Sequence, residues 1–269
     1  MRIALVITTY ERPDALAAVL ASAARQTLGP YEIVIADDGS GESTRALVAD
    51  FAARSPVPVR FVSQPHEGFR LTRLRNLAIA ATTADYLVFV DGDMVLDPRF
   101  VADHARLARA GWFTQGVRVR ADAGLTRMLI ADPATPVTIS GKGLGGLRRL
   151  YLLRSPALAS LVRGLANTFI AIKGCNQAYW REDLVRVNGF NEAIQGWGPE
   201  DKELCARLRY AGVRRQTLLF GGIAVHLEHP PAARERLAEN RAVLIDTLRG
   251  RKKRCETGLD AHLGRNLLG

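Results

Sequence analysis

Two pairs of carboxylates stand out by type and spacing. Asp91 and Asp93 flank Gly92 at the end of the apolar run Tyr86–Val90. In an extended segment residues i and i+2 share a face, so both acids can address one object. Gly92 permits a sharp turn and the close approach of a bulky ligand. Paired hard oxygens at such a point suit Mg²⁺ or Mn²⁺, which keep open positions for phosphate oxygens. The competing reading of Asp-Gly between apolar runs is a hairpin turn. Against it, only Met94-Val95-Leu96 follows before Asp97-Pro98, which reads as a helix start with Asp97 as N-cap. The second pair, Glu200-Asp201, opens a helix after the loop Gln195-Gly196-Trp197-Gly198-Pro199. Its charges either complement the helix dipole or supply a general base.

These acids need elements to hold them. Five apolar residues in a row, Tyr86–Val90, predict a strand buried on both faces, as in a parallel sheet covered by helices. Upstream lie a strand over Arg2–Thr9, a helix to about Gln26, a strand over Glu32–Ala36 and a helix over about Ser43–Ala53. A short strand over Val59–Ser63 and a helix over about Leu71–Ala81 follow. Such alternation implies a mostly parallel sheet with right-handed crossovers. Ligands then sit outside the carboxyl ends of the strands, where Thr8-Thr9-Tyr10, Asp37-Asp38 and Asp91-Gly92-Asp93 all fall. Downstream the pattern predicts a helix over Pro98–Ala110 and a strand over Trp112–Val119. The glycine-punctuated, arginine-rich stretch Ala121–Asn167 is expected to be a mobile lid or binding segment. Regular signals return with a helix start near Arg181, a helix from Glu200 to about Ala211 and two short apolar runs ending at His226. A solvated helical tail is expected from Pro231, closed by the basic run Arg249–Arg254.

The 269 residues, 48% hydrophobic, suffice for one large α/β domain or two small ones. No signal peptide or membrane-length apolar run is apparent. Cys175, Cys205 and Cys255 are odd in number and lack metal-ligand spacing, so a reduced, cytoplasmic setting is expected. A net charge of +10 favours phosphorylated ligands, anionic membrane or nucleic acid. The basic residues are dispersed and accompany no nucleic-acid motif, so no nucleic acid is expected as a partner. No G-x-G-x-x-G follows a strand, which argues against a dinucleotide-dependent oxidoreductase.

In order, the chain carries Ile7-Thr8-Thr9-Tyr10-Glu11-Arg12, Asp37-Asp38-Gly39-Ser40, Gly68-Phe69-Arg70 with Arg75-Asn76, and Asp91-Gly92-Asp93. Gly174-Cys175-Asn176, Gly196-Trp197-Gly198-Pro199-Glu200-Asp201 and Val225-His226 complete the series. Together these resemble the inverting family-two glycosyltransferases of GT-A fold, in the branch with a galactosyltransferase-like C-terminal segment, over about residues 2–230. The resemblance implies a Rossmann-like nucleotide-diphospho-sugar transferase: a mixed, mostly parallel sheet flanked by helices. Residues 1–230 would form one catalytic domain, divided into a nucleotide-binding half (1–119), an insert or lid (120–170) and an acceptor and catalytic-base half (171–230). Residues 231–269 would be a basic helical tail.

The implied activity is transfer of a hexose or N-acetylhexosamine, galactose type favoured, from a UDP-sugar to a glycan or lipid-linked glycan, with Mn²⁺ or Mg²⁺. Thr8, Tyr10, Arg12, Asp38, Arg70, Arg75, Asn76, Asp91, Asn176 and Trp197 are implied to bind substrate, with Trp197 stacking on a sugar. Asp93 and His226 would hold the metal, Asp91 would contact ribose or metal, and His229 is the substitute for His226. His66, His104 and His262 have no such context. By the same resemblance Asp201 is the base and Glu200 binds acceptor or donor sugar. Arg70, Arg73 and Arg75 near a helix start are unfavourable beside the macrodipole, a cost that a bound phosphate would offset. Leu147, Leu150, Tyr151, Leu153 and Leu158 beside Arg148, Arg149, Arg154 and Arg163 suggest an interfacial helix. With Arg251–Arg254 they predict peripheral contact with an anionic membrane, at the inner face of the cell membrane. The alternative of a nucleotide-sugar pyrophosphorylase requires a glycine- and arginine-rich loop after the first strand, where this chain has Thr8–Arg12.

Overall fold

The computed structural model describes residues 1–164, 171–231 and 233–264. Strands β1 (Ile3–Thr9), β2 (Glu32–Asp37), β3 (Val59–Ser63) and β4 (Tyr86–Asp91) alternate with helices α1 (Pro13–Ala24), α2 (Glu42–Arg54) and α3 (Leu71–Ala80). The four strands pair in parallel in the order β3-β2-β1-β4. β1 and β2 are buried along their whole length, and β4 along all but Asp91. One face packs Val6, Val34 and Phe89 with the apolar side of α3, and the other packs Leu5, Ile35 and Val88 with Leu16 and Leu20 of α1. Strands buried on two faces have no polar alternation, so the sequence pattern predicts them directly.

After β4 the chain leaves this sheet. β5 (Met94–Leu96) lies in a separate small sheet, so Asp91-Gly92-Asp93 is a strand-to-strand crossing and not a hairpin. Helix α4 (Phe100–Leu107) starts later than the Asp97-Pro98 signal suggests. Asp97 caps a turn instead, its Oδ1 accepting from Arg99 N at 2.9 Å. The single strand expected over Trp112–Val119 divides into β6 (Trp112–Gln115) in the large sheet and β7 (Val119–Arg120) in the small one. The break falls at Gly116, where a Cβ would lie 2.3 Å from the Asn176 carboxamide.

The following stretch is more ordered than a filler loop. Helix α5 (Ala123–Ala131) is capped by Asp122, and a 3-10 turn (Leu147–Leu152) leads into α6 (Pro156–Val162), capped by Ser155. Arg154 anchors it by donating to Asp103 at 2.7 Å and to Asp97 at 3.3 Å. The end of the expected insert, residues 165–170, lies outside the described residues.

β8 (Asn176–Trp180) runs antiparallel between β4 and β6. It is a strand that hydrophobic patterning misses, because buried Asn176 and Gln177 begin it. Helices α7 (Arg181–Arg186) and α8 (Glu200–Tyr210), strands β9 (Arg214–Thr217) and β10 (Ala224–His226), and helix α9 (Leu237–Arg249) complete the chain. β10 joins β5 and β7, giving the small sheet the order β5-β10-β7.

Helix α9 is largely exposed, as expected of the tail, but it also docks on α8. Its Thr247 hydroxyl donates to Glu203 at 2.9 Å, and Glu203 forms a fully buried fork with Arg207 one turn along α8. Arg207 also donates to the carbonyls of Val187 and Gly189. A charge pair buried this deeply persists only when each donor and acceptor is satisfied. Here that requirement locks α8, α9 and the 187–189 turn together. Part of the basic run is likewise spent, since Arg254 donates to the Val185 and Arg186 carbonyls and pairs with Asp260.

Candidate active site

The carboxyl ends of β1 and β4 meet with Thr8 in register with Asp91. Gly92 N donates to Thr8 O at 2.6 Å, and a Cβ at residue 92 would stand 2.8 Å from that oxygen. Glycine is therefore the residue that lets the chain cross from β4 to β5. The crossing carries Asp93 to β10, where His226 is paired with Met94. Asp93 lies 3.6 Å from His226 Nε2, 3.1 Å from His229 Nε2 and 3.3 Å from Arg12 Nη1.

Asp93, His226 and His229 each offer a ligand atom, all within 4.8 Å of one another. Burial opposes ionisation of Asp93, but a hydrogen bond from His229 and the charges of His226, His229 and Arg12 hold its carboxyl below the usual range. Burial pushes the His226 imidazole down to about 4, leaving it neutral with a free lone pair, whereas His229 is raised by its bond to Asp93. Asp93 Oδ1 is buried without a hydrogen-bond partner. An anionic oxygen, a neutral imidazole and an orphaned acceptor fit a divalent cation. Both histidines belong to the cluster, where the sequence offered one as a substitute for the other. Asp91 does not: its Oδ1 accepts from Arg75 and from Thr8 Oγ1, each at 3.4 Å.

Arg75 connects Asp91 to the second acid pair. Only 2% exposed, it donates through Nη2 to Asp91 and through Nη1 to Glu200 Oε1, again at 3.4 Å, while its guanidinium lies over Phe190. Burial and then the Asp201 charge push the Glu200 carboxyl up to about 7, with Arg75 pulling the other way. Burial also raises Asp201, offset first by Arg75. Asp201 Oδ1 accepts from Lys202 N at 2.7 Å, and its carboxyl faces the same cleft as Asp91 and Asp93.

At the β2 end the two acids divide the work. Asp37 Oδ2 accepts from the backbone of Gly39 and Ser40 and from Ser63 Oγ, closing the turn. Asp38 instead lines the cleft; Gln64 Nε2 donates to its Oδ1 at 2.5 Å, and Oδ2 is buried without a hydrogen-bond partner. Burial raises its carboxyl pKa, with Gln64 opposing. Tyr10, also at the cleft, stacks on His66 with ring centroids 4.2 Å apart and planes 12° from parallel. His66, which has no context in the sequence, thus supports the one aromatic ring of the first β-strand's exit.

The cleft measures about 960 Å³ and brings Thr8, Tyr10, Arg12, Asp38, Arg75, Asp91, Asp93, Trp197, Glu200, Asp201 and His226 to one space. Three expected substrate residues are elsewhere. Asn76 donates to Phe190 O and Glu192 and accepts from Phe190 N, clamping that turn to α3. Asn176 spends its carboxamide on His104, Val117 O and Gly222 O in the core. Arg70 turns to Pro65 O and Glu67. Asn76 and Asn176 are thereby satisfied inside the protein, which leaves little for a ligand, whereas Arg70 keeps a buried, unpartnered Nε.

The sequence reading missed the cations of the walls. Arg118, Arg120 and Lys173 line the side nearest His226, which is in register with Arg120. Arg118 Nε is buried and unpartnered, and Lys173 is lowered by burial and then by Arg148, Arg118 and Arg120. Val117-Arg118-Val119-Arg120 alternates as a half-exposed strand should, placing both arginines on one face. Lys202, Arg234 and Arg241 line the side formed by α8 and α9.

The sequence profile described as Glycosyl transferase family 2 matches residues 4–158, and that of the N-terminal domain of galactosyltransferase matches residues 163–230. The chain belongs to glycosyl transferase family 2. This family-2 chain is 27% identical over 242 residues to a chondroitin synthase of Escherichia coli, a match covering 85% of this chain and 35% of that protein. It is 29% identical over 223 residues to a validoxylamine A glucosyltransferase of Streptomyces hygroscopicus subsp. limoneus, covering 78% and 48%. The chain thus spans half or less of the length of these two relatives. Among solved structures it resembles S. aureus TarS 1-349 in complex with UDP (TM-score 0.63, 16% identity, 97% of this chain and 68% of that one). It also resembles the mannosyltransferase PcManGT from Pyrobaculum calidifontis in complex with GDP-Man and Mn²⁺ (TM-score 0.57, 18% identity, 84% and 56%). At such identities the likeness establishes the fold, which is GT-A.

Proposed function

We propose that this family-2 chain moves a hexosyl or N-acetylhexosaminyl unit, galactose type favoured, from a UDP-sugar to a hydroxyl of a glycan or lipid-linked glycan, with inversion. The observation that carries the reading is that one buried arginine, Arg75, joins the strand-end acid Asp91 to Glu200, in a single cleft that Asp93 and Asp201 also line. Residues 1–119 serve the nucleotide and 171–230 the acceptor, with 120–170 between them. α9 adds Arg241 to the acceptor wall.

Asp38 accepts from the nucleobase through Oδ2, which makes no hydrogen bond but lies 3.5 Å from His66 Nδ1, the ring that Tyr10 stacks on. Asp93, His226 and His229 would hold Mn²⁺ or Mg²⁺, which when bound supplies charge stabilisation to a departing diphosphate. Arg118, Arg120 and Lys173 stand on the same side and counter the charge that develops there. Across the cleft Asp201 takes the proton of the acceptor hydroxyl with the carboxylate oxygen that Lys202 N does not occupy. Glu200, held by Arg75, contacts a sugar hydroxyl, and Trp197 carries a sugar face. A UDP-release screen across UDP-hexoses and UDP-N-acetylhexosamines, with Mn²⁺, Mg²⁺ or chelator, tests this. Turnover of one donor only with metal is expected; no UDP release from any of them overturns it.

The proposal extends to peripheral contact with an anionic membrane at its cytoplasmic face. No helix among the described residues is long and apolar enough to cross a membrane. Leu147 and Leu161 are 83% and 72% exposed, and Arg148 and Arg149 are exposed beside them, although Arg154 is spent on Asp97 and Asp103. Cosedimentation with anionic but not neutral vesicles, lost in high salt, is the expected result. Equal recovery on both overturns it.

A further inference from the structure

The charges around the cleft sort into two unequal sets. Four of the acids are answered from within the protein: Arg75 serves Asp91 and Glu200, Arg12 and His229 serve Asp93, and Gln64 serves Asp38, while Asp201 and Glu228 line the cleft without an ion pair among the described residues. Two groups of lining cations make no ion pair among the described residues. Arg118, Arg120 and Lys173 adjoin the Asp93 cluster, where the donor diphosphate is proposed to sit. Lys202 of α8, Arg241 of α9 and Arg234, which lies over the Trp197 ring, line the cleft as well. The donor has no second diphosphate for them to meet.

We propose that the acceptor is an anionic saccharide, whose carboxylate or phosphate is held by Lys202, Arg234 and Arg241 while a sugar ring packs against Trp197. The proposal rests on the glycosyltransferase reading above and adds the charge class of the acceptor to it.

Trp197 is 38% exposed, and the Arg234 guanidinium lies over its ring, 4.6 Å from the centroid. That guanidinium covers one ring face, leaving the rest of the exposed indole to the apolar side of a pyranose, and it presents a planar fork that matches carboxylate or phosphate. The platform is fixed in place. Asn240 Nδ2 donates to the carbonyls of Gln195 and Trp197, and a Cβ at Gly198 would stand 2.8 Å from that nitrogen. Leu237 and Arg241 also line the cleft; four residues apart, they share one face of α9. Free cations are not simply the habit of this segment. Arg236, two residues from Arg234, is paired with Glu239 and donates to Gln195 Oε1. Lys202 sits in the first turn of α8, where a cation is unfavourable beside the helix dipole and an arriving anion relieves it. It also adjoins Asp201, so an anion bound there lies close to the hydroxyl that Asp201 would deprotonate.

The test is direct binding to the whole chain with UDP and Mn²⁺ present, followed by titration calorimetry. Three probes separate charge from shape and one anion from the other. They are a tetrasaccharide of alternating hexuronate and N-acetylhexosamine, the same tetrasaccharide with its carboxyls reduced to alcohols, and a short glycosylated glycerol-phosphate oligomer. At least one anionic probe is expected to bind about tenfold or more tighter than the reduced one at low salt, an advantage that shrinks as salt screens the rim. Whichever anionic probe binds tells carboxylate from phosphate. The double variant Arg234→Gln/Arg241→Gln is expected to erase the advantage, while Arg236→Gln keeps it. Anionic probes no better than the reduced one, or full discrimination in the double variant, overturn the proposal. UDP titrated alone reports on the underlying reading: UDP that binds while the probes fail refutes only the acceptor class, whereas no UDP binding refutes the functional reading itself.

Discussion

Arg75 is the most informative single residue to change. Its guanidinium is almost fully buried and bridges Asp91 and Glu200, and removing it leaves both carboxylates facing each other's charge without a counterion. Breaking a buried ion pair from one side costs about 3–5 kcal/mol. Contacts of 3.4 Å are long for charge-assisted bonds, so about 3 kcal/mol is the better figure here. For a domain of this size that corresponds to a fall in Tm of roughly 6–12 °C. Part of the cost is relieved by proton uptake, because burial already holds Glu200 near neutrality, up to about 7. The consequence is a sign that can be checked. Arg75 lowers both Glu200 and Asp201, so without it both protonate more readily and the base is ionised only at higher pH. In the wild type, transfer is expected to rise with pH as the raised Asp201 carboxyl loses its proton, beside Glu200, which is pushed up to about 7. In Arg75→Gln that rise moves to higher pH, and Arg75→Lys recovers part of the displacement. The assay is UDP release against pH with saturating donor, alongside a thermal melt. A variant that melts early but keeps the wild-type pH profile would refute the coupling, leaving Arg75 a packing residue only.

Asp93→Ala is expected to lower turnover roughly a thousandfold, the effect of losing a charged metal ligand, and excess chelator to do the same to the wild type. Full activity of the variant in chelator contradicts the metal assignment. Asp201→Asn is expected to abolish transfer with UDP affinity nearly intact, a loss confined to kcat. If Glu200→Gln is inactive and Asp201→Asn near normal, the roles are reversed. Asn176→Ala leaves His104 Nε2 and the Val117 and Gly222 carbonyls without their partner, at about 1–3 kcal/mol. It should lower Tm while UDP affinity holds; the opposite pattern would return Asn176 to the ligand site.

The nucleotide half was legible because its strands are buried on both faces and so appear as unbroken apolar runs. The residues at their carboxyl ends, Thr8, Asp38 and Asp91, face the cleft for the same topological reason. β8 escaped because Asn176 and Gln177 are buried by bonding to His104 and Gln115, which no hydrophobicity pattern reports. Asn76 and Arg75 are neighbours in sequence, yet helix geometry turns one to the 190–192 turn and the other to the cleft. The docking of α9 was hidden by its charge. Only Asn240 and Thr247 of that helix are buried, and both act through hydrogen bonds. The cationic walls were equally obscure, since an arginine lining a cleft and one on an open surface look alike in sequence. The alternation in Val117–Arg120 was the one usable signal.

The most direct measurement needs no knowledge of the acceptor. Family-2 chain, α-linked UDP-sugar and Mn²⁺ are incubated with water as the only acceptor, and the products are followed by ¹H and ³¹P NMR. Inverting transfer with Asp201 as base predicts UDP together with a sugar that appears first as the β-anomer, and no product when Mn²⁺ is chelated. Release of the α-anomer, formation of UMP with sugar 1-phosphate, or equal turnover in chelator would contradict the account.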